Sequence, residues 1–497
     1  MLRIVIASWS ILLSVAITPA SAAPPPDTGI ITKDRTSLRA APRGSAQQQA
    51  LLWQGEMVEI RGERLDYLHV YDYKRERAGF VHASHVRRIK LTVDEAPDLL
   101  AVVRFLRDTT GAEALGIGLA AAYIHAASPE MLRGEPGIDA LDAFGAFADR
   151  LARRASSGMA QNKSVEATLS AHLDVAGRYG VNFLNHERAG RMHICYDGDA
   201  FRRVLGMPST PEQRARAALA LTRHECVPPD LGPLARNSVD EWRADMLDRV
   251  DTSALPGYLM NRVQMRRASV WASLAYQRAR MGDSADAAAI RAITELAGIN
   301  KSELAEEDLR TYNDAAMRVN ASRWAAVPPS GAAKTKRVRI VTAAGDPGET
   351  CVSLVDAKSG DIEKPLVTRC TYGIVWTNSA TANREGTALA LAVQSMDTWR
   401  EMWLFRKEAD GWWTVSVLPP TAATPGIGYA EFAGWVPGGR QMLVAREARG
   451  EGKYQRNFEV MRLDTLAVAR QASDPGVLGA FQRWQDPSWK EQTLSVR

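Results

Sequence analysis

The hydrophobic period of the chain changes twice, and this constrains its fold more than any other feature. Over residues 28–90, apolar residues come in short alternating runs between turn residues, as in strands. Over residues 93–325 they recur at helical spacing, and after 338 the alternating runs return. The 497-residue chain is therefore predicted to be multidomain, with a small all-β barrel, a central all-α domain and a C-terminal all-β domain.

An apolar run near the first residue predicts a cleaved export signal. Arg3 supplies the preceding positive charge, and residues 20–22 are the small residues that a signal peptidase reads. The run Ile4–Ile17 is shorter than the roughly 20 residues that a membrane span needs. We expect a signal peptide over 1–22, a Pro-rich linker over 23–27, and a mature protein in the periplasm or outside the cell, without an integral membrane segment.

The four cysteines fit an oxidising compartment. None stands at the predicted cleavage point, which argues against a lipoprotein. They fall into two pairs that are close in sequence, Cys195 with Cys226 and Cys351 with Cys370. Four cysteines allow three pairings. Because each close pair lies within one predicted domain, we expect these two disulfides, each stabilising the fold by roughly 3 kcal/mol.

Residues 28–90 contain four short motifs in a fixed order. They read Thr-Ser-Leu-Arg-Ala-Ala-Pro at 36–42, Gln-Gly-Glu-Met-Val-Glu-Ile at 54–60, Tyr-Leu-His-Val at 67–70 and Ala-Gly-Phe-Val-His-Ala-Ser-His-Val at 78–86. Together they resemble bacterial SH3-like (SH3b) domains, with Tyr67 and Phe80 where that family usually has Trp. The resemblance implies a small barrel that contacts peptides or the cell wall, often peptidoglycan.

Five aromatic side chains of this barrel are candidates for lining a binding groove. The alternative for the same residues is a place in the sheet core. They are Trp53, Tyr67, Tyr71, Tyr73 and Phe80.

The central region, 93–325, predicts roughly eight to ten helices. Thr210 is expected to cap a helix that starts at Pro211, with Gln213 in the capping-box position. A faint tetratricopeptide-like unit at Trp271 has no second copy at a 34-residue period. The clearest predicted helices are Leu141–Arg154, Val165–Gly177, Pro211–His224, Val239–Val250, Ala268–Met281, Ala285–Ala297 and Glu303–Val319.

After a linker over 326–337, residues 338–497 carry a repeated Trp-containing segment. Trp376, Trp435 and Trp484 are 59 and then 49 residues apart, and each precedes a predicted strand. The best copy, Trp-Val-Pro-Gly-Gly-Arg at 435–440, resembles the propeller blades of the Tol-system translocation protein (TolB-like). The resemblance implies a partial β-propeller of three to four blades, and a stack of curved sheets is the alternative. Residues 493–496 are expected to pair beside 338–341 and close the ring.

Three aromatic residues in this domain, Trp399, Trp403 and Phe405, have the same strand parity and therefore share a face. We expect them to form sheet-to-sheet core, with a sugar-binding platform as the alternative.

The densest polar constellation lies in the central region. It comprises His186-Glu187, the segment from His193 to Asp199, and Arg223-His224-Glu225-Cys226. Two His-x-Cys units contain the atoms of a zinc site, and Cys195 is a conceivable nucleophile. We favour the disulfide, because residues two apart diverge on a strand or a helix. The pattern of residues 197–199 is too short for a calcium loop and predicts a turn before a helix.

The sequence contains no recognised catalytic motif, so we expect no catalytic residue, no metal and no cofactor. The net charge of +5 is spread along the chain, which argues against a nucleic-acid partner. The favoured function is a non-catalytic envelope protein that binds peptidoglycan or envelope proteins. One alternative is a cell-wall-acting hydrolase with its site near His193, His224 and Glu225. The other is an assembly factor that docks secreted proteins on the helical domain.

Overall fold

The computed structural model describes residues 27–158, 162–188, 191–328, 337–358, 363–422, 426–450 and 453–490. The predicted signal, most of both predicted linkers and the predicted closing strand at 493–496 lie outside these residues. Along the described chain, strands are followed by helices and then by strands again, as predicted. The chain forms two compact units. The first runs to Pro129 and takes in residues 159–180, and the second contains 130–158 and everything from Val181.

The strands are β1 (Thr28–Ile31), β2 (Thr36–Arg39), β3 (Gln48–Leu52), β4 (Met57–Arg64), β5 (Tyr67–Asp72), β6 (Arg77–His82), β7 (Val86–Ile89), β8 (Phe183–Arg188), β9 (Arg191–Tyr196), β10 (Val338–Ala344), β11 (Thr350–Asp356), β12 (Val367–Thr371), β13 (Ile374–Ala382), β14 (Ala388–Met396), β15 (Trp399–Lys407), β16 (Trp413–Leu418), β17 (Ile427–Val436), β18 (Gln441–Gly450), β19 (Lys453–Arg462) and β20 (Val468–Ala472). The helices are α1 (Ala96–Leu106), α2 (Glu113–Ala126), α3 (Pro129–Arg133), α4 (Glu135–Gly158), α5 (Lys163–Arg178), α6 (Asp199–Leu205), α7 (Pro211–Leu221), α8 (Pro233–Asp248), α9 (Gly257–Met281), α10 (Asp286–Ala297), α11 (Leu309–Ser322) and α12 (Gly479–Trp484).

In the first unit, seven strands form one sheet in the order β3-β2-β6-β5-β4-β1-β7. Successive side chains of a strand alternate between two faces. In β5, Leu68 and Val70 are buried on one face, where they join Val58 and Val81 in a common apolar core. The described pairings form an open path with β3 and β7 at its ends, so the strands do not form a closed barrel.

The helices α1, α2 and α5 complete the first unit. Helix α5 begins where Asn162 accepts a hydrogen bond from the Val165 backbone N–H at 2.9 Å. Its buried residues Leu169, His172, Val175 and Ala176 recur at helical spacing and give it one apolar face.

The turn between β3 and β4 packs against helices α2 and α5 through Gly55. Its φ is +82°, and a Cβ at this position would lie 2.7 Å from the backbone carbonyl carbon of Ala114 in α2 and closer still to the oxygen. The Tyr179 hydroxyl, just after α5, donates to the Gly55 carbonyl oxygen at 2.6 Å. Only glycine allows this close approach in this backbone conformation.

Each helix predicted between residues 141 and 319 is present with a shifted start or end, as α5 in the first unit and as α4 and α7 to α11 in the second. The predicted capping box is also confirmed. Thr210 accepts from the Gln213 backbone N–H at 3.2 Å, and the Gln213 side chain accepts from the Thr210 N–H at 2.9 Å. Helices α8, α9 and α10 bury their apolar faces against one another around Leu247, Leu259 and Leu274.

The prediction of an all-α central region was wrong at one point, because β8 and β9 form a two-stranded antiparallel sheet there. Gly180 and Gly198, both with left-handed φ, lie on either side of this hairpin. Cys195 in β9 is buried and bonded to Cys226, which ties the hairpin to the following helices. The disulfide and the backbone hydrogen bonds between β8 and β9 stabilise strands here, so this segment does not form a helix.

The C-terminal region contains a three-stranded sheet, β10-β11-β12, and an eight-stranded sheet. The larger sheet consists of two four-stranded antiparallel meanders, β13 to β16 and β17 to β20, joined by a short parallel pairing of β15 with β17. Trp403 and Phe405 are buried between the two sheets against Val352 and Leu354. These two aromatic residues, like the buried Trp399, therefore belong to the core, as expected.

The third predicted Trp repeat was wrong. Phe481 and Trp484 lie in or at the end of the short helix α12, which is not part of a sheet. Phe481 is buried against Phe458 of β19, with ring centroids 5.6 Å apart, and Trp489 packs beside both. The helix covers one face of the last meander, and burial of these rings fixes its position.

Both predicted disulfides are present. Cys195–Cys226 has its Cα atoms 5.7 Å apart, and Cys351–Cys370 joins directly opposite residues of β11 and β12. Among the residues that the structure describes, no helix has the length and apolar character needed to cross a membrane.

Buried polar contacts join the helices of the second unit to its large sheet. Arg323, just after α11, pairs with Glu431 of β17, and both side chains are only 4% exposed. Arg400 of β15 donates to the Asn320 carbonyl oxygen at 2.7 Å. Asn378 of β13 donates to the Trp324 carbonyl oxygen at 2.7 Å. Removing one partner of such a buried pair leaves the other with an uncompensated charge.

Candidate functional site

The outer face of the first sheet carries a row of aromatic side chains. Tyr67 of β5 lies opposite His82 of β6, with ring centroids 5.3 Å apart. His69 lies opposite Phe80, and their rings stack at 4.9 Å. All four side chains are half-buried. The sequence named Tyr67 and Phe80 as groove candidates but not His69 and His82. Each histidine is two residues from one of these aromatic residues on the same strand and therefore shares its face.

Two further predicted residues form a second aromatic pair. The Tyr71 and Tyr73 rings meet edge to face at 4.9 Å, and the Arg61 guanidinium lies 3.9 Å from the Tyr71 ring centroid. Tyr73 is 66% exposed. Its hydroxyl is hydrogen-bonded to Glu59, and this bond raises the pKa of Tyr73. An exposed ring held in this way offers an amphipathic contact surface.

Trp53, the fifth predicted groove residue, lies apart from this face. Its ring meets His172 of α5 edge on, with centroids 6.5 Å apart. Its backbone N–H donates to Glu56 at 3.1 Å. The structure therefore brings Tyr67 and Phe80 together, pairs Tyr71 with Tyr73, and places Trp53 at the contact between the sheet and α5.

A pocket of about 510 Å³ opens where β4 and the β5–β6 turn meet α5. Its size is within the range of small-molecule and peptide sites. Its floor is partly apolar, and charged groups and tyrosines surround it. The lining residues are Thr28, Glu56, Met57, Val58, Glu59, Asp72, Tyr73, Lys74, Val175, Arg178 and Tyr179.

Glu56 is a buried charged residue of this pocket, as is Asp72. The Glu56 side chain is 3% exposed, and Arg75 donates to both carboxylate oxygens, at 3.1 and 3.2 Å. Lys74 and Arg178 each approach the same carboxylate to 3.7 Å. A buried carboxylate is tolerated only with such partners. The Lys74 and Arg178 cations are about one-third exposed, so they also face the pocket opening.

Asp174 of α5 completes the charged rim. It pairs with Lys74 and accepts from Arg178 at 2.9 Å. The bond from Lys74, followed by the charges of Arg178 and Lys74, lowers the pKa of Asp174 despite partial burial. Burial raises the pKa of Tyr179 to about 12, so its phenol is neutral and a donor. Acidic and basic side chains are thus both present around one opening.

The polar constellation of the central region is organised by the first disulfide. The bond between Cys195 and Cys226 brings His193 near the His224-Glu225 turn, and Glu225 is bonded to Arg223 at 3.2 Å. Burial raises the pKa of Glu225, but Arg223, Arg266 and other cations outweigh this and lower it to about 2. With both sulfurs in a disulfide, no thiolate is present for zinc binding or nucleophilic attack.

Asp197, Gly198 and Asp199 form the predicted turn. Asp197 accepts from the Asp199 N–H at 3.0 Å, and α6 begins immediately at Asp199.

Potential metal ligands also come together at the second disulfide. Among the described residues, donor atoms of Glu349, Cys351 and Cys370 lie within 4.8 Å of one another. Both sulfurs are bound to each other, which leaves one carboxylate as a ligand. A further cavity of about 30 Å³ beside Arg323 and Glu431 is too small for an organic ligand.

Comparisons of the chain with protein-family models, with curated proteins and with solved structures find no match. The functional argument therefore comes from the residues themselves.

Proposed function

We propose that this protein is an exported, non-catalytic envelope protein that binds peptidoglycan, the polymer of the cell wall, through its peptide part. In this proposal, residues 28–90 are an SH3-like domain, and its ligand occupies the pocket beside Tyr73. The observation that carries the proposal is the pocket of about 510 Å³ with both acidic and basic groups in its lining.

The charges of this opening suit a short peptide with both free ammonium and free carboxylate groups. Lys74 and Arg178 are cations that a ligand carboxylate can reach, and Arg178 offers a two-pronged donor. Glu59, whose side chain is 17% exposed, is an acceptor for a ligand amine. Wall peptides combine these groups, whereas a neutral glycan has neither. The peptide is therefore the part of the wall that the pocket recognises.

Tyr73 provides the apolar part of this recognition. Its ring is exposed at the pocket edge, and Tyr71 and Glu59 hold it in place. An ordered ring loses little conformational entropy on binding and buries a large area, which is why tyrosines are frequent in binding sites.

The C-terminal region fits a second, protein-binding role in the same proposal. Its two meanders of four strands and its smaller sheet correspond to blades of a partial propeller, a scaffold typical of binding proteins. We expect envelope proteins as its partners.

The test is co-sedimentation of the full-length protein with purified peptidoglycan. The variant Tyr73→Ala removes the ring at the pocket edge, and we expect it to reduce the retained fraction about tenfold. The matched control is Tyr372→Ala in the second unit, because Tyr372 is 62% exposed and Tyr73 is 66% exposed. Point variants are preferred to deletion of residues 28–90, because the deletion would also uncover the buried face of α5.

We expect the parent and Tyr372→Ala to be retained equally. The proposal fails if the parent protein does not sediment with the wall, or if both variants are retained to the same extent as the parent. Arg178→Met serves as a second variant, since it removes the exposed guanidinium of the opening. It should weaken retention and leave the far-ultraviolet circular dichroism spectrum unchanged.

A further inference from the structure

Strand β5 carries a ring at every second position of its outer face. These residues are Tyr67, His69 and Tyr71, whereas Leu68 and Val70 between them belong to the core. A strand rises about 3.4 Å per residue, so neighbouring rings start about 7 Å apart and the three positions extend over about 14 Å. All three side chains are half-buried, which leaves part of each ring accessible to solvent. They form a straight row on the first unit, which we call the aromatic track.

Strand β6 widens this track with a second row of rings. His82 lies opposite Tyr67, and Phe80 lies opposite His69. Ring contacts at 5.3 and 4.9 Å hold these four side chains against one another. Because neighbouring rings already restrict them, they lose little conformational entropy when a ligand binds. This part of the track is therefore a preformed contact surface.

The track is open along both sides. Gly62 of β4 lies opposite His69, and a Cβ built on Gly62 would meet no heavy atom of the described residues within 4 Å, its chain neighbours aside. On the other side, the exposed Ala78 of β6 lies opposite Tyr71. Because both neighbours are small, a ligand can reach the sides of the His69 and Tyr71 rings. The track thus has the form of a shallow groove that suits an extended chain.

The track leads to the pocket beside Tyr73. This residue follows β5 in the β5–β6 turn and lines the pocket, and its ring meets the Tyr71 ring edge to face at 4.9 Å. In peptidoglycan, each peptide is covalently attached to a sugar of the glycan strand. A wall peptide in the pocket therefore places its sugar within one peptide length of Tyr71, at the end of the track.

The chemistry of the track suits a sugar. Its rings offer apolar surface, and the phenol hydroxyls and imidazole nitrogens at their rims donate or accept hydrogen bonds. A pyranose matches this combination, since it has C–H groups on its faces and hydroxyl or acetamido groups around its rim. The guanidinium of Arg61, which lies over the Tyr71 ring, is already paired with Glu59 at 3.0 Å. The charged pocket and the aromatic track therefore match two different parts of the wall polymer.

We propose that the aromatic track binds the glycan strand of the peptidoglycan whose peptide occupies the pocket. This inference rests on the proposed function and adds a second contact with the same polymer. Tyr67, His69 and Phe80 pack against sugar rings, and Tyr71 lies where the peptide leaves the strand for the pocket. The protein thus recognises the junction of glycan and peptide, which neither part contains alone.

The experiment measures the two parts of the wall separately. Digestion of purified peptidoglycan with an amidase that removes the peptides yields peptide-free glycan strands and free wall peptides. Binding of the full-length protein to immobilised strands is measured by surface plasmon resonance, and binding of the peptides by isothermal titration. We expect saturable binding of the strands. Phe80→Ala should weaken it about fivefold or more, the loss expected for an aromatic contact residue, and leave peptide binding unchanged.

Two control variants separate the track from the pocket and from general effects. Arg178 lines the pocket, so Arg178→Met should weaken peptide binding and leave strand binding unchanged. Tyr372→Ala removes a 62% exposed ring of the second unit and should bind both probes like the parent.

Phe80→Trp covers the case that Phe80→Ala is unstable. It enlarges the ring at a position where the SH3-like family usually has Trp, and it should tighten strand binding about twofold or more. A gain in affinity cannot result from misfolding.

The inference is overturned if the parent does not bind peptide-free strands. It is equally overturned if Phe80→Ala and Phe80→Trp both bind the strands like Tyr372→Ala. Strand binding by a parent protein that does not bind the free peptides would contradict the proposed peptide pocket instead, so the two failures are distinguishable.

Discussion

Replacing Gly55 with alanine should detach the β3–β4 turn from α2. The new Cβ would lie 2.7 Å from the Ala114 carbonyl carbon, and the backbone there cannot rotate away as a flexible side chain would. The left-handed φ of +82° costs a residue with a Cβ about 1–2 kcal/mol, and overpacking adds about 1–3 kcal/mol. We expect the free energy of local opening to fall by about 3 kcal/mol, which lowers protection from amide exchange roughly a hundredfold.

The measurement is amide hydrogen exchange by mass spectrometry on peptides from β4 and α2 in the full-length protein. Two other glycines of the first unit are controls that separate the cost of the left-handed φ from the cost of overpacking. Gly111 has a φ of +93° but an open environment, so Gly111→Ala should cost only about 1–2 kcal/mol. Gly62 has neither constraint, so Gly62→Ala should change little or stabilise slightly. Equal protection in Gly55→Ala and Gly62→Ala would refute the docking argument. Since Glu56 follows Gly55, the first variant should also lose wall retention.

Three further predictions concern the second unit. Thr210→Ala removes the capping box of α7 and should lower the free energy of unfolding by about 1 kcal/mol, measured by urea denaturation. Arg323→Met leaves the buried Glu431 with only Arg400, at 3.4 Å, as a cationic partner and should cost about 3 kcal/mol in the same assay. Arg462→Met, in an exposed pair, should cause no measurable change. The pKa of His224 is lower in the folded protein than in the unfolded chain, so the unfolded chain binds the proton more readily. Stability should therefore be complete above about pH 6.5 and fall as the pH decreases below it, and His224→Gln should flatten this decline in denaturation series across pH.

Features that depend on neighbouring residues were predictable from the sequence. The capping box needs only Thr210 and Gln213, and both disulfides join cysteines that are close in sequence. The strand parity of Trp403 and Phe405 correctly placed both rings on one buried face. In each case the deciding contact lies within the element itself or between elements that are near in sequence.

Two of the wrong predictions arose where distant contacts decide the local structure. The β8–β9 hairpin lies between two predicted helices, in a region that was predicted to be all-α, and its anchor is a disulfide to Cys226. The segment that contains Trp484 resembles the turn motif of the other repeats. Its actual position is set by the packing of Phe481 on Phe458, which no local pattern shows.

The candidate site was predictable only in part for the same reason. The sequence named Tyr67, Tyr71 and Tyr73 as groove candidates with the core as the alternative, and only the structure shows that Tyr73 is exposed. The pocket also needs two residues of α5: Asp174 pairs with Lys74 across 100 residues of sequence, and Arg178 approaches Glu56. No spacing rule links positions so far apart, so the charged opening became apparent only in three dimensions.

The separation between Lys74 and Asp174 has a consequence for how the protein is made. The seven strands are synthesised first, and α5 follows only after α3 and α4, although α4 belongs to the other unit. A growing chain therefore presents the sheet for some time without the helix that completes its pocket. Synthesis is sequential, at roughly 5–20 residues per second, so this interval is several seconds long. Under the proposed function, a product cut short before α5 would carry the whole sheet but lack Arg178 and Asp174, and should therefore fail to bind the wall.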